Sequence, residues 1–224
     1  MTSEDRVTSG IIGLDELIGG GFVKNSVNLL SGETGTGKTI FGLQYIWEGL
    51  QKGENGVYIS LEEEPESIFA DVKAFGWDFE PYIKSGKCII DFLPTWKLEE
   101  LPIAVSEKIN SIKAKRFVLD TLSLVCSRLD PIAIRSEVAD FLKELKHAGV
   151  TSLLTSEIPE DTKKLSRFGV EEFVSDGIIV LHYLDFVVGG LPRSLLVRKM
   201  RRTAHGTDIY PIKITNKGMV IVRK

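Results

Sequence analysis

The stretch GETGTGKT, residues Gly32 to Thr39, limits what this chain can fold into more than any other part of it. The residues before it, 26–32, are mostly apolar and typical of a buried strand. The residues after it, 39–53, carry apolar side chains at helical spacing and end at a glycine. Gly35 and Gly37 allow the backbone to turn sharply between the two elements, so that N–H groups point inward. A strand, a glycine-rich turn and a helix in this order predict a cradle for phosphate groups.

The spacing G-x-x-x-x-G-K-[ST] assigns a role to each position of this P-loop. Backbone N–H groups surround the phosphates, the Lys38 ammonium reaches the β- and γ-phosphates, and the Thr39 hydroxyl ligates Mg²⁺. The residues predicted to contact nucleotide are Thr34, Gly35, Thr36, Gly37, Lys38 and Thr39. The motif therefore predicts ATP and Mg²⁺ as ligands.

Strand-like and helix-like stretches alternate over most of the chain. We predict strands over 26–32, 56–62, 87–93, 116–120 and 150–157, and helices over 39–53, 65–76, 98–114 and 132–149. From residue 177 onward four strand-like runs follow without helices, which indicates antiparallel pairing. The sequence predicts a single α/β domain over 1–224, with a mostly parallel twisted sheet, helices on both faces and antiparallel strands toward the C-terminus.

Acidic residues follow two of the predicted strands, where a sheet of this kind places its ligands. Asp120 ends RFVLD and is a candidate Walker B carboxylate for the Mg²⁺ shell. Glu62, Glu63 and Glu64 end another strand, and such a cluster can orient and deprotonate a water that attacks a γ-phosphate. A solvated acidic turn before a helix is the alternative. Thr155 and Ser156 either bond the γ-phosphate or are structural.

Composition excludes several classes of protein. Lys and Arg total 28 against 31 Asp and Glu, a net charge of -3, so binding of DNA over the whole surface is disfavoured. Cys88 and Cys126 are isolated, which argues against a disulfide framework or zinc site. The N-terminus lacks an apolar signal core and no run is long enough to span a membrane, so we expect a cytoplasmic protein with no membrane contact.

A basic segment, LLVRKMRRTAHG at 195–206, stands out in an acidic chain. On an extended strand Lys199 and Arg201 point the same way and Met200 points the other way. The segment contacts a nucleotide on a neighbouring copy, contacts nucleic acid, or is a solvated strand end.

With these motifs in place, the chain resembles RecA-like ATPases, and most closely the KaiC and archaeal KaiC-like branch related to RadA recombinases. Further similar segments are TSGIIGLDELIGGGF, AFGWDFE, RFGVEEFVSDGIIVL and KMRRTAHG, in the order of that family. The chain departs from the family's patterns in having one such domain rather than two, Arg202 in place of a usual glycine, and no RadA-type helix-hairpin domain.

The resemblance implies a role for each matching residue. Glu62 and Glu63 are the catalytic pair, assisted by Lys38, and Asp120 is the Walker B aspartate. The basic segment crosses a subunit interface to the neighbour's nucleotide, and its residues are Lys199, Arg201, Thr203 and His205. It also implies a homo-oligomer, as a hexameric ring or a filament.

Four functions remain open from the sequence. The first is an ATPase that works between subunits. The second is a RadA-paralogue regulator that binds single-stranded DNA or a recombinase partner, using Lys163, Lys164 and Arg167, although Glu157, Glu160 and Asp161 nearly cancel their charge. The third is a nucleotide-switched scaffold. The fourth is self-phosphorylation, with Thr162 and Ser166 as candidate acceptors.

Overall fold

A computed structural model describes residues 5–94, 100–127, 129–130, 132–159, 162, 164–184 and 193–222. In chain order the elements are β1 (Arg6–Val7), α1 (Leu14–Leu17), β2 (Phe22–Val23), β3 (Val27–Gly32), α2 (Lys38–Gln51), β4 (Gly56–Ser60), α3 (Pro65–Ala74), α4 (Glu80–Lys84), β5 (Cys88–Phe92), α5 (Leu101–Ile112), β6 (Arg116–Asp120), α6 (Leu122–Cys126), α7 (Ile134–His147), β7 (Thr151–Glu157), α8 (Glu171–Val174), β8 (Gly177–Tyr183), β9 (Arg193–Met200), β10 (Ile209–Thr215) and β11 (Gly218–Ile221).

The main sheet has nine strands in the order β11-β10-β9-β8-β3-β7-β6-β4-β5. Neighbouring strands from β8 to β5 are parallel, and those from β8 to β11 are antiparallel. This confirms the α/β fold with antiparallel strands toward the C-terminus. The prediction of antiparallel pairing for every strand from residue 177 onward was too simple, because β8 is antiparallel to β9 but parallel to β3. It is therefore the strand at which the sheet changes direction.

Helices cover both faces of the sheet. Alternate side chains of each central strand therefore pack in two different cores, one on each face. In β4, Tyr58 packs in the core that contains the apolar side of α2, whereas Val57 and Ile59 pack in the core beneath α5 and α7. In β6, Val118 and Leu119 divide between the two cores in the same way. A strand buried on both sides has a continuous run of apolar residues in its sequence, as these strands do.

A buried arginine at the start of β6 links three parts of the chain at the base of the sheet, the end opposite the P-loop. Arg116, at the start of β6, is 0% exposed and donates to the Glu54 carboxylate at 2.6 Å, to the Thr8 carbonyl at 2.7 Å and to the Tyr45 carbonyl at 2.9 Å. Its guanidinium carbon also lies 4.7 Å from the centre of the Tyr45 ring. Gly49 leaves the space, since a β-carbon there would lie 2.4 Å from the Cδ and Nε of Arg116. The entry segment, α2 and β6 are held together at this point.

The predicted helices and strands lie within a few residues of their predicted limits. The helix predicted over 98–114 is α5 from Leu101, and residues 95–99 lie outside the described part of the chain. The short elements β1, β2, α1, α4, α6 and α8 were not predicted. None of the helices in the described ranges is long and apolar enough to cross a membrane.

Candidate nucleotide-binding site

The P-loop connects the end of β3 to the start of α2, as its pattern predicts. Gly35 and Gly37 have φ angles of 75° and 104°, in the left-handed region that glycine adopts without strain. Gly37 also allows a close approach, because a β-carbon there would lie 2.9 Å from the Met219 methyl group of β11. The C-terminal hairpin β10–β11 therefore packs directly on the loop. The N-terminus of α2 faces the loop, where its dipole favours an anion.

The Lys38 ammonium lies across the mouth of the loop. It donates to the carbonyls of Gly32 at 2.9 Å and Glu33 at 3.0 Å. Burial lowers the pKa of Lys38, and the carboxylates of Asp120, Glu157, Glu62 and Glu33 oppose that shift. These carboxylates favour the ammonium form, which is the form that binds phosphate.

Thr39 and Asp120 are in direct contact, although they are far apart in sequence. The Thr39 hydroxyl donates to the Asp120 carboxylate at 2.8 Å. Asp120, 8% exposed at the end of β6, also accepts from Tyr58 at 2.6 Å and from Thr155 at 2.5 Å. A hydroxyl and a carboxylate at the end of a P-loop form the oxygen donor set that suits Mg²⁺, which keeps several waters and takes further ligands from substrate phosphates. The residues therefore fit the ion that the motif implies.

The paired glutamates follow β4 in a turn that faces the same space. The N–H groups of Glu62 and Glu63 both donate to the Ser60 hydroxyl, at 3.2 and 2.8 Å. Glu63 accepts from Ser67 of α3 at 3.1 Å. Burial raises the pKa of Glu62, and the negative charges of Asp120, Glu157 and Glu63 raise it further, whereas Lys38 opposes them. The raised pKa makes the Glu62 carboxylate a stronger proton acceptor, as a general base requires.

One cavity of about 350 Å³ joins these groups. Its lining residues are Thr34, Gly35, Gly37, Lys38, Thr39, Ile40, Glu62, Glu63, Asp71, Asp120, Thr121, Glu157, Arg193 and Ile214. Of the nucleotide contacts predicted within the P-loop, Thr36 alone is not among them; it is buried, and its hydroxyl donates to the Glu33 carbonyl at 2.7 Å. Glu64 is not a lining residue either, and it immediately precedes α3.

The sequence prediction missed three charged residues of this cavity. Glu157 ends β7 as Asp120 ends β6, and the rule that ligand sites lie at strand ends would have included it. Arg193 begins β9 and donates to the Gly35 carbonyl at 3.0 Å. Asp71 lies on α3. No local sequence signal distinguishes Arg193 or Asp71.

The basic segment lies at the other end of the sheet. In the sheet Lys199 is paired with Ile178, and Ile178 is paired with Leu29 of β3. Leu29 precedes Gly32 by three residues, so Lys199 lies about 10 Å along the strands from the start of the P-loop, at 3.3 Å per residue. The Lys199 ammonium extends away from the P-loop to the carbonyls of Glu172 at 3.0 Å and Ser175 at 2.7 Å. The exposed Arg201 side chain pairs with Asp176 at 3.2 Å.

Thr203 and His205 lie farther along, beyond the end of β9. Thr203 accepts from Arg6 at 2.8 Å, and His205 Nδ1 lies 2.9 Å from the Gly206 carbonyl. Arg202 has a φ of 59°, and this left-handed backbone explains why glycine suits the position in the family's pattern. Leu195, at the start of the segment, is level with Gly32, but the chain runs away from the P-loop, and by Arg201 it has reached the opposite end of the strands.

Several residues with open roles have partners inside the protein. Thr155 bonds Asp120, and the buried Ser156 hydroxyl donates to Glu171 at 3.2 Å, so both have structural partners. Ser166 is 0% exposed and bonds the carboxylates of Glu171 and Glu172, a poor environment for a phosphate group. Arg167 is ion-paired with Glu157. Lys163, Glu160 and Asp161 lie outside the described residues, and Thr162 and Lys164 are exposed.

Comparison with known proteins agrees with this geometry. The model of the family described as "ATPase: KaiC" matches residues 7–224. The chain belongs to the KaiC family of ATPases. A UPF0273 protein of Thermotoga maritima is 38% identical to this KaiC-family chain over 96% of the chain and 95% of its own length. The circadian clock protein KaiC3 of Synechocystis is 32% identical over 97% of the chain but 46% of its own length, so the chain spans about half of that relative.

A solved structure shows the same fold. The crystal structure of a KaiC-like protein from the archaeon Pyrococcus horikoshii matches 98% of this KaiC-family chain and 100% of its own, with 40% identity and a TM-score of 0.90. The mixed sheet, parallel around the P-loop and antiparallel toward the C-terminus, is thus the RecA-like fold of this family.

Proposed function

We propose that this KaiC-family chain binds ATP with Mg²⁺ at the P-loop and hydrolyses it, and that a second copy of the chain completes the site. The observation that carries the proposal is the shared cavity, which brings together Lys38, the bonded pair Thr39–Asp120 and the carboxylate of Glu62. Phosphate binding, metal binding and a base are the parts that hydrolysis of a γ-phosphate requires.

Each group has a chemical task in this proposal. The P-loop N–H groups and Lys38 hold the phosphates, and Mg²⁺ held by Thr39 and Asp120 would supply neutralisation of the phosphate charge. Glu62 accepts a proton from the attacking water, while the bond between the γ-phosphorus and the bridging oxygen breaks and ADP leaves with that electron pair. Ser67 holds the Glu63 carboxylate at the N-terminus of α3, beside this base.

The position of the basic segment supports completion of the site by a neighbour. Lys199 and Arg201 lie at the opposite end of the sheet from their own P-loop, with side chains directed toward residues 172–176. They are therefore placed to serve a nucleotide outside their own chain, and a head-to-tail ring or filament gives every site one such segment. A cation delivered in this way is worth about 10³–10⁵ in rate in other phosphoryl-transfer enzymes.

The DNA-regulator alternative gains little support from the described residues. Of the cations on which it depends, Arg167 is ion-paired with Glu157, and Lys164 is exposed. A pair of this kind lowers the charge available to a phosphate backbone, and the Arg201–Asp176 pair has the same effect on the basic segment. Binding of single-stranded DNA, measured with and without ATP, tests this role.

The test is ATP turnover per chain as a function of protein concentration. We expect turnover to rise with concentration, and Glu62→Gln to abolish most of it. Glu64→Gln is the matched control, since Glu64 is two residues from Glu62 but does not line the cavity. Turnover that is independent of concentration and near zero, with ATP-dependent binding of single-stranded DNA, would instead favour the regulator.

Mixing two inactive variants tests the contribution of the neighbour. Arg201→Ala chains keep their own P-loop and base, whereas Glu62→Gln chains keep an intact Arg201. We expect the mixture to recover activity and each variant alone to lack it. Arg198→Ala, an exposed cation on the same strand, is the control and should retain wild-type turnover. A mixture no more active than its components contradicts the role of Arg201 between copies.

A further inference from the structure

The Asp120 carboxylate is held by hydroxyl groups from three directions. Its Oδ2 accepts from Thr39 at 2.8 Å and from Tyr58 at 2.6 Å, and its Oδ1 accepts from Thr155 at 2.5 Å. Tyr58 and Thr155 are each 0% exposed and come from the strands on either side of β6. Neither is among the residues assigned to nucleotide or metal by the motif.

These donors orient the carboxylate without neutralising it. Among the described residues, no lysine or arginine forms an ion pair with Asp120, although the Lys38 ammonium lines the same cavity and interacts with its carboxylate. An ionised carboxylate has about four lone-pair sites, two on each oxygen. Thr39 and Tyr58 occupy both sites of Oδ2, and Thr155 occupies one of Oδ1. One site of Oδ1 remains.

We propose that Tyr58 and Thr155 are positioning residues that clamp the Asp120 carboxylate from both sides and so set the affinity of the site for Mg²⁺. This inference rests on the proposed function, because it requires nucleotide and Mg²⁺ to bind at the P-loop. Partners that orient a metal-binding group are typically worth 10- to 100-fold in metal affinity or activity.

The chain offers closely matched controls in Tyr45 of α2 and Thr151 at the start of β7. Tyr45 is 0% exposed and its hydroxyl donates to the Thr151 carbonyl at 3.0 Å. Thr151, 1% exposed at the start of β7, accepts from the Asn25 N–H at 2.9 Å. Tyr45→Phe and Thr151→Val therefore remove the same hydroxyls from equally buried sites that do not contact Asp120.

The experiment measures the Mg²⁺ concentration that half-saturates binding of a fluorescent ADP to the full chain. We expect Tyr58→Phe and Thr155→Val each to raise this concentration by about 10-fold or more. Tyr45→Phe and Thr151→Val should leave it at the wild-type value, and affinity for the ADP without Mg²⁺ should be the same in all five proteins. A melting curve for each verifies folding, and because the two test residues hold different oxygens, either one alone carries the test.

Three results would overturn the proposal. The first is an unchanged Mg²⁺ dependence in the folded test variants. The second is an equal loss of ADP affinity with and without Mg²⁺, which would indicate a general disturbance of the pocket. The third is an undiminished effect of Tyr58→Phe in an Asp120→Asn background, since a residue that acts through Asp120 must then have none. If the wild-type chain itself shows no Mg²⁺-dependent nucleotide binding, the proposed function fails together with this inference.

Discussion

Substitution of Gly49 by alanine tests whether Arg116 holds the base of the sheet. In most helices this change is stabilising, because alanine is favoured over glycine by about 0.8–1.0 kcal/mol in a helix interior. In α2 the new β-carbon would lie 2.4 Å from the Cδ and Nε of Arg116. The Arg116 side chain is fully buried, and its guanidinium is bonded to the Thr8 and Tyr45 carbonyls. Arg116 must therefore leave its position to make room for the new β-carbon.

The cost follows from the contacts that Arg116 would lose. Disruption of a buried ion pair costs about 3–5 kcal/mol, and we take about 4 kcal/mol because the Glu54 side chain is 34% exposed and is partly rehydrated. Subtraction of about 1 kcal/mol for the gain in helix propensity leaves a net loss of about 3 kcal/mol. For a chain of this size that loss lowers the melting temperature by roughly 6–12 °C.

Thermal and denaturant unfolding, followed by circular dichroism, measure the effect. Gly49→Ala in an Arg116→Met background is the control. The uncharged methionine side chain can move away from the new β-carbon, so the higher helix propensity of alanine then determines the change in stability. We expect Gly49→Ala to destabilise the wild type and to be neutral or stabilising in the background. A wild-type or raised melting temperature for Gly49→Ala, or equal losses in both backgrounds, would refute the role assigned to Arg116.

Three further predictions concern charge and the metal site. Glu157→Gln removes a negative charge that raises the pKa of Glu62, so the acid limb of the pH–rate profile for ATP turnover should move to lower pH; a limb that stays in place contradicts the assignment of Glu62 as base. Burial raises the pKa of Asp176, but bonds from Lys146 and a backbone N–H and the nearby cations outweigh it, so the pKa is lowered. The ionised form therefore stabilises the fold above the unfolded pKa of about 3.9, and Asp176→Asn should lower the melting temperature at pH 7 by an amount that shrinks as the pH falls through that region. Thr39→Val should abolish the extra thermal stabilisation that Mg²⁺ adds to ADP, whereas Thr39→Ser should retain it; a ligand at 100 times its Kd stabilises by about 2.7 kcal/mol, which is easily measured.

The sequence predicted those parts of the site that depend on short-range patterns. The P-loop is a contiguous motif, and Asp120 and Glu62 could be placed because the carboxyl ends of parallel strands meet at one edge of a sheet. The order of the strands depends on pairings between distant residues, which no local pattern contains. The predicted strand 150–157 already ends at Glu157, but nothing in the sequence indicates that β7 lies between β3 and β6, beside the P-loop.

Buried polar contacts were the least predictable part. Tyr58 occupies an apolar strand and has the periodicity of an ordinary core residue, and only the fold reveals that its hydroxyl meets Asp120. Thr155 is similar, because its position at a strand end was recognised but its partner was not. A hydrogen bond between side chains depends on directions that sequence spacing does not determine.

The strand β3 has a mechanical consequence for an assembly of this kind. At one end the Val27 N–H donates to Asp176, the residue that pairs with Arg201, and at the other end Gly32 opens the P-loop. Its six residues span about 20 Å and are paired on both sides, with β7 and β8. In the proposed assembly each copy contacts two nucleotides, one at its own P-loop and one through Arg201, and β3 connects the two contacts. A tilt that presses Arg201 toward the neighbour's phosphates turns the copy's own P-loop through the same angle, so that adjacent sites communicate by rotation of whole subunits.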